Sequence, residues 1–437
     1  MGGDRRTAAA RAQRWAARLA VVAAVAAVVL LVVVAGPRSI GLVAILLAGT
    51  VVTAAALWWA LTRRGPVRLC AAALAVAAPV AVIWLTIASG LLWLVVVCVA
   101  LGAVAAGAGW SALATDSGWK AQPVTEAPRP VRPFLIMNPR SGGGKVQRFG
   151  LKEKAERAGA KVALLDPDRR VDVAALARTA VAEGADLLGV AGGDGTQALV
   201  AGVAAEHGIP FLVVPAGTRN HFALDLGLDR DDPPASLDAL TDGVELRVDL
   251  GFVGERVFVN NASFGAYAAV VQSDAYRADK LRTTLDLFPD VLTQRAGPRL
   301  TARAADVSID APQAVLVSNN PYHMGDRAAL GRRDRMDTGT LGMLSISVAS
   351  AAQAAALLRG DRSPGLTVLT AHEVVVDADA AEVPVGLDGE ALTLPTPVHC
   401  TIRPGALRVR VPRHRPGVPR ARPRLDWHKL ALLALAR

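Results

Sequence analysis

Hydrophobic and polar positions divide this chain sharply. Up to residue 110 the apolar residues come as long unbroken runs; beyond that they alternate in short blocks. Leu19 to Ala35, Ile40 to Leu61, Leu69 to Ser89 and Leu91 to Trp110 are nearly free of charge. Each approaches or exceeds the length needed to cross about 30 Å of hydrocarbon. The pattern predicts four transmembrane helices in residues 1–110. Arg5, Arg6, Arg11, Arg14 and Arg18 precede the first run, and Arg63, Arg64 and Arg68 lie between the second and third. Positive loops stay in the cytoplasm, so both ends of this region are expected inside, on a multi-pass protein of the cell membrane. An alternative makes the first run a cleaved signal peptide; the remaining three would still leave the C-terminal part cytoplasmic.

Ser111 to Val131 is polar, carries Pro123, Pro128 and Pro130, and reads as a linker over 111–132. From Pro133 short apolar blocks alternate with helix-like stretches. The blocks Phe134–Met137, Val162–Leu165, Ala185–Ala191 and Phe211–Val214 read as strands. Lys145 to Ala158, Val171 to Ala182 and Thr196 to Glu206 read as helices between them. This alternation predicts an α/β domain over 133–245, with a parallel sheet covered by helices. Ligands of such sheets lie beyond the carboxyl ends of the strands.

After Asp242 short β-branched runs dominate: Leu246–Leu250, Arg256–Asn260, Ala314–Ser318, Leu341–Val348, Leu366–Asp377, Val398–Ile402 and Leu407–Val411. Helices are expected only at Ala266 to Leu287 and Ala351 to Leu358. A mostly antiparallel β-sandwich domain over 246–412 follows. Residues 413–437 form an Arg/Pro-rich tail whose end, Leu425 to Leu433, reads as a short interfacial helix or a frayed terminus.

The formal net charge is +10, but it sits in residues 1–110 and 413–437. The stretch 111–412 is net acidic, which favours an anionic lipid surface over nucleic acid as partner. The three cysteines are too few for a disulfide framework and read as small buried hydrophobes. The seven histidines show no ligand spacing, and no zinc site is expected.

Candidate chemistry collects at the strand ends. Gly192-Gly193-Asp194-Gly195-Thr196 follows the third strand. Glycines let backbone N–H groups approach anionic oxygens, and a carboxylate there can hold magnesium or take a proton. Alone, the segment is equally a tight turn. Asn138-Pro139-Arg140-Ser141-Gly142-Gly143-Gly144-Lys145 follows the first strand, and Pro215-Ala216-Gly217-Thr218-Arg219-Asn220 follows the fourth. Gly386-Leu387-Asp388-Gly389-Glu390 lies in the β region.

These four motifs, in this order, resemble the diacylglycerol kinase catalytic-domain family, over roughly Pro133 to Pro412. Asp249-Leu250-Gly251 and Phe258 to Asn261 resemble the segment that crosses between its domains. The resemblance implies ATP bound between the α/β and β-sandwich domains. Asn138, Ser141, Gly142, Gly192, Gly193, Gly195, Thr196, Gly217, Thr218 and Asn220 would line the nucleotide, with Lys145 and Arg219 as the cations nearest phosphate. Asp194 would sit by the phosphates and Mg2+. Asp388 matches the proposed base, with Glu390 beside it, and Asp337 would be a second metal ligand. The chain departs from the pattern at Ala198, Leu199, His221 and Gly342, which puts a second magnesium in doubt. The expectation is a membrane lipid kinase acting on diacylglycerol or a similar lipid alcohol. The four helices carry no Asp, Glu, Lys or His and so act as an anchor; they leave homodimerisation open. A NAD-kinase-like enzyme and a non-catalytic nucleotide or lipid sensor are the alternatives.

Overall fold

The structure is a computed structural model. It describes residues 2–35, 38–63, 65–90, 92–114, 122–166, 169, 171–265, 298–323, 332–347, 365–418 and 426–435. The expected helices at 266–287 and 351–358 lie outside the described residues. The chain divides into two compact units, residues 1–120 with 350–359 and 420–437, and residues 121–349 with 360–419.

In the first unit the helices are α1 (Gly2–Ala35), α2 (Arg38–Thr62), α3 (Pro66–Ala88) and α4 (Leu92–Ala114). The Arg-rich lead is helical and continuous with the first apolar run. Among the described residues three helices are long and apolar enough to cross a membrane, at Arg11–Val33, Pro66–Ala88 and Leu92–Leu113. Helix α2 is 25 residues long and carries a shorter described apolar stretch, Ala44–Ala60, where the sequence predicts the second of four spans. These helices turn large apolar side chains outward: Val33 and Leu69 are each 73% exposed. Water would penalise that surface, whereas lipid would cover it. Cys70 is exposed on α3, against expectation, while Cys400 in the second unit is buried and its thiol is pushed up to about 12 by burial.

The second unit is built on two sheets. Its α/β part runs β1 (Thr125–Glu126), β2 (Pro133–Met137), α5 (Lys145–Arg148), α6 (Leu151–Arg157), β3 (Lys161–Leu164), α7 (Val173–Ala182), β4 (Leu187–Ala191), α8 (Asp194–Glu206), β5 (Phe211–Val214) and α9 (His221–Asp225). Strands β2, β4 and β5 are buried at every position, as apolar runs covered on both faces must be. They pair in parallel, in the order β3-β2-β4-β5. The expected helix 145–158 is broken at Phe149-Gly150, where Gly150 has φ 57°. Asp172 caps α7 by accepting from the Ala175 N–H at 3.0 Å.

The β part runs β6 (Gly243–Val253), β7 (Arg256–Phe258), β8 (Asn261–Gly265), β9 (Leu300–Ala304), β10 (Val307–Asp310), β11 (Ala314–Asn319), β12 (Leu341–Ile346), β13 (Leu366–Ala371), β14 (Glu373–Ala378), β15 (Glu382–Leu387), β16 (Glu390–Pro395) and β17 (Val398–Pro412). The sequence suggests two strands at 398–402 and 407–411. They are one, β17, with a register shift between Arg403 and Leu407. Its first half pairs with β14 and its last half lies parallel to β5. One sheet therefore runs from the α/β part into the β part. Conversely, 366–377 reads as one strand but forms two in different sheets, β13 with β12 and β14 with β9.

The second sheet, ordered β13-β12-β11-β8-β15-β16, packs on the far end of the first. Phe258, Phe264, Val317, Met343, Val376, Val385 and Cys400 share that core. Two faces of β-branched residues thus bury each other, as in a sandwich.

Candidate active site

Three glycine-bearing turns leave β2, β4 and β5 at the same sheet rim, and they touch. Gly142 has φ 55°, and a Cβ there would strike the Ala216 and Gly217 carbonyls. A Cβ on Gly217 would lie 2.7 Å from the Gly193 Cα and 3.0 Å from the Gly192 carbonyl oxygen. Only glycine permits this stacking. Gly193, by contrast, has open space where its Cβ would be, and an ordinary φ of −80°. The space before it would admit a group that approaches the backbone.

Charge and dipole are arranged to match. Asp194 opens α8, and its carboxylate accepts the His221 and Phe222 N–H groups at 3.3 and 3.4 Å. The N-termini of α8 and α9 thus converge on one carboxylate, which partly offsets their positive ends. Thr196 packs on Gly192. Thr218 and Arg219 are exposed on the third turn, and Asn138 and Ser141 are half-buried on the first.

The turn between β15 and β16 brings the acids. A Cβ on Gly195 would run into the Glu390 carboxylate, so the Asp-Gly-Glu turn rests on the start of α8. Asp388 has φ 48°. Its Oδ2 accepts from the Val259 N–H at 2.8 Å, and its Oδ1 from the Asn260 and Asn261 N–H groups at 2.8 and 3.0 Å. Burial nevertheless pushes its carboxyl up to about 7, with the Asp194 charge adding to the push and the three N–H groups resisting it.

Several of these residues are engaged by the protein itself. The Asn220 side chain is buried and spent inside its own turn: Oδ1 accepts from Gly217 N–H at 2.9 Å, and Nδ2 donates to the Pro215 and Gly217 carbonyls. It shapes the cradle and does not line it. Lys145 donates to the Arg230 carbonyl at 2.7 Å, beside the 229–231 loop, and desolvation lowers its pKa. Asp337 is held on both oxygens by Arg335, at 2.7 and 2.6 Å. The guanidinium takes the place beside Asp337 that a cation would occupy. Among the described residues no group of three or more His, Cys, Asp or Glu could hold a metal ion. Magnesium commonly uses one or two carboxylates plus substrate phosphates and waters; Asp194 would supply one such carboxylate, while the helix N-termini suit the phosphates.

The structure adds residues that sequence reading misses. Gln197 is fully buried and donates to the Gly192 carbonyl at 3.1 Å, so the loop keeps a polar support despite Ala198 and Leu199. Arg333 is buried and joins four segments. It donates to Asp225 (Nε to Oδ2 2.6 Å), to the Val259 and Asn319 carbonyls (2.7 Å each) and to Asn260 Oδ1 (2.8 Å). Through Val259 and Asn260 it fixes the turn whose N–H groups hold Asp388. Asn261 Nδ2 donates to the Tyr322 hydroxyl at 2.9 Å, and burial pushes that phenol up, which keeps it protonated. Arg333 lies in the run Arg332-Arg333-Asp334-Arg335, which reads as a solvated loop. No local signal marks it as core.

Residues 132–253 match the family model of the diacylglycerol kinase catalytic domain. Over these residues the chain is similar to the diacylglycerol kinase catalytic-domain family. A diacylglycerol kinase of Mycobacterium tuberculosis is 26% identical over 298 residues, covering 64% of this chain and 94% of that protein. A diacylglycerol kinase of Bacillus subtilis is 35% identical over 138 residues, covering 31% of this chain and 46% of that one. A solved structure described as a putative diacylglycerol kinase from Bacillus anthracis str. Sterne superposes with TM-score 0.50 at 20% identity. It covers 65% of this chain and 96% of its own, and so shares the fold. The part matched by the family model ends at Val253, so Asp388, Glu390 and Arg333 lie beyond it.

The contrast between two cradle glycines makes a test. Gly193→Ala should leave the ligand-free melting temperature unchanged while weakening ATP binding about tenfold, or ~1.4 kcal/mol. Gly217→Ala should lower both, because its Cβ meets backbone in the empty protein. Thermal melts and ATP titration calorimetry of the two variants check this.

Proposed function

We propose that this protein is a membrane-anchored lipid kinase that moves the γ-phosphate of ATP to the hydroxyl of diacylglycerol or a similar membrane lipid. The observation that carries the reading is the contact between the Asp-Gly-Glu turn and the glycine cradle. It sets a carboxylate poised near neutrality next to the seat suited to phosphates.

In this reading the three turns and the helix N-termini would cradle the phosphate chain, and Asp194 would hold a Mg2+ bound with it. The metal would neutralise charge on the β- and γ-phosphates. Asp388 takes the proton of the lipid hydroxyl as its oxygen bonds to the γ-phosphorus. The bond from the γ-phosphorus to the bridging β-phosphate oxygen breaks, and ADP leaves. Such transfers need positioning and charge stabilisation more than covalent chemistry. A base with pKa near 7 has useful strength and is substantially deprotonated at neutral pH. The anchor supports a lipid acceptor, since tethering raises the effective concentration of membrane substrates.

Purified full-length protein in mixed micelles, given Mg-ATP with γ-labelled phosphate and a panel of lipid alcohols, tests this. Label is expected in phosphatidic acid or a related lipid phosphate. ATP binding with no transfer to any lipid would favour a sensor, and label in NADP when NAD is supplied would favour a NAD kinase.

A further inference from the structure

The last described helix, α10 (Trp427–Leu435), falls in the same compact unit as the N-terminal helices. It is tied at both ends. Asp426 Oδ1 accepts from the Lys429 N–H at 3.0 Å at its start. Arg18 Nε donates to the Ala434 carbonyl at 3.0 Å at its end, a favourable place for a cation. Leu430 is fully buried with Ala17, Ala112 and Leu113, and Leu433 and Ala434 pack against them.

These contacts fix a level. Arg18 is the last charge before the uncharged run Leu19 to Ala35, and α4 ends at Ala114. Gln13 Nε2 donates to the Ala112 carbonyl at 2.9 Å, aligning the lead of α1 with the end of α4. Helix α10 thus lies where the apolar runs meet the polar chain. Its outward surface is apolar there: Trp427, Leu432 and Leu435 are 46, 58 and 80% exposed. His428 and Lys429 sit in its first turn, and Leu430 to Leu435 is apolar throughout. Trp15 and Trp110, also exposed, stand within two residues of the packed contacts on α1 and α4. Tryptophans at one level mark the boundary between headgroups and hydrocarbon.

We infer that α10 is an interfacial anchor, seated in the headgroup–acyl boundary of a bilayer and continuous with the surface of α1 and α4. This rests on reading α1 to α4 as membrane spans, an even number that returns the chain to the face where α1 begins. Polar residues at one end and an exposed apolar side are what such helices need to lie in that boundary.

The test uses full-length protein in vesicles of phosphatidylcholine and phosphatidylglycerol. Cys70 and Cys98 are replaced by Ala, and the buried Cys400 is kept. Nitroxide labels go on Leu432→Cys, Leu435→Cys and, as an aqueous control, Asp306→Cys. Power saturation compares collisions with oxygen and with a nickel chelate. At 432 and 435 oxygen should exceed the chelate severalfold, with the reverse at 306. Equal chelate access at all three sites would overturn the inference. So would low access to both reagents, which means a protein partner such as a second copy, or labelled protein left in the aqueous fraction. Leu432→Glu with Leu435→Glu should slow transfer to vesicle lipid severalfold and leave transfer to a water-soluble short-chain diacylglycerol unchanged. The collision readout needs no catalysis. An oxygen-accessible α10 in a protein that phosphorylates no lipid would sink the proposed function and leave the anchor standing.

Discussion

Asp388→Asn should lower lipid phosphorylation by about 10²–10⁴-fold, the range for loss of a positioned base. It should barely change ATP affinity, because the cradle is formed by other turns. The wild type adds a pH signature. Its carboxyl is raised to about 7 and in the proposed transfer would act as the anion, so kcat/KM should climb as pH rises through about 7 and then level. The variant should lack that limb. The same shift acts on stability in the opposite sense. The folded carboxyl holds its proton more tightly than an unfolded one of ordinary pKa, so the fold binds the extra proton. This group's contribution is fully present below the unfolded value and is lost as pH rises through about 7. A pH–rate profile of both proteins, with melting curves at each pH, reads the two effects separately.

Arg333→Met should cost about 3–5 kcal/mol of stability. The side chains of Arg333 and Asp225 are 0 and 1% exposed, so the variant leaves a buried carboxylate without its cation. The Val259 and Asn319 carbonyls lose their donor as well. Arg333→Lys should recover little, because a single ammonium cannot reach Asp225, two carbonyls and Asn260 at once. Asp225→Leu with Arg333→Met should recover more than either single change predicts, since no charge remains buried. Melting temperatures of the four proteins check the order. Lipid phosphorylation should fall further than stability alone explains, because Arg333 positions the turn that holds Asp388.

What the sequence made legible follows from locality. The parallel strands are apolar runs buried on both faces, and the glycine turns follow them directly, so β2, β4, β5 and their loops could be read. The approach of Asp388 and Glu390 to Asp194 and Gly195 could be expected only through the family resemblance, since it spans nearly two hundred residues. The continuity of β17 across both parts was hidden by Pro404-Gly405, which reads as a strand break and is a register shift. The 366–377 run looked like one strand because period-2 patterning does not reveal a change of sheet. Arg333 and Gln197 were invisible for another reason. A polar residue in a polar run, or on an otherwise apolar helix, shows its burial only when distant partners arrive. Lys145 and Asp337 matched expectation in residue type and position, yet their hydrogen bonds go to Arg230 and Arg335.

The central claim is that the glycine cradle and the Asp-Gly-Glu turn are two halves of one phosphotransfer site. ATP binding and label transfer from γ-labelled ATP to diacylglycerol, measured on the same preparations of wild type and Asp388→Asn in vesicles, test it most directly. The account predicts matched ATP affinities, label in the lipid phase for wild type and almost none for the variant. Undiminished transfer by Asp388→Asn, or a wild type that binds ATP and labels no lipid, would contradict it.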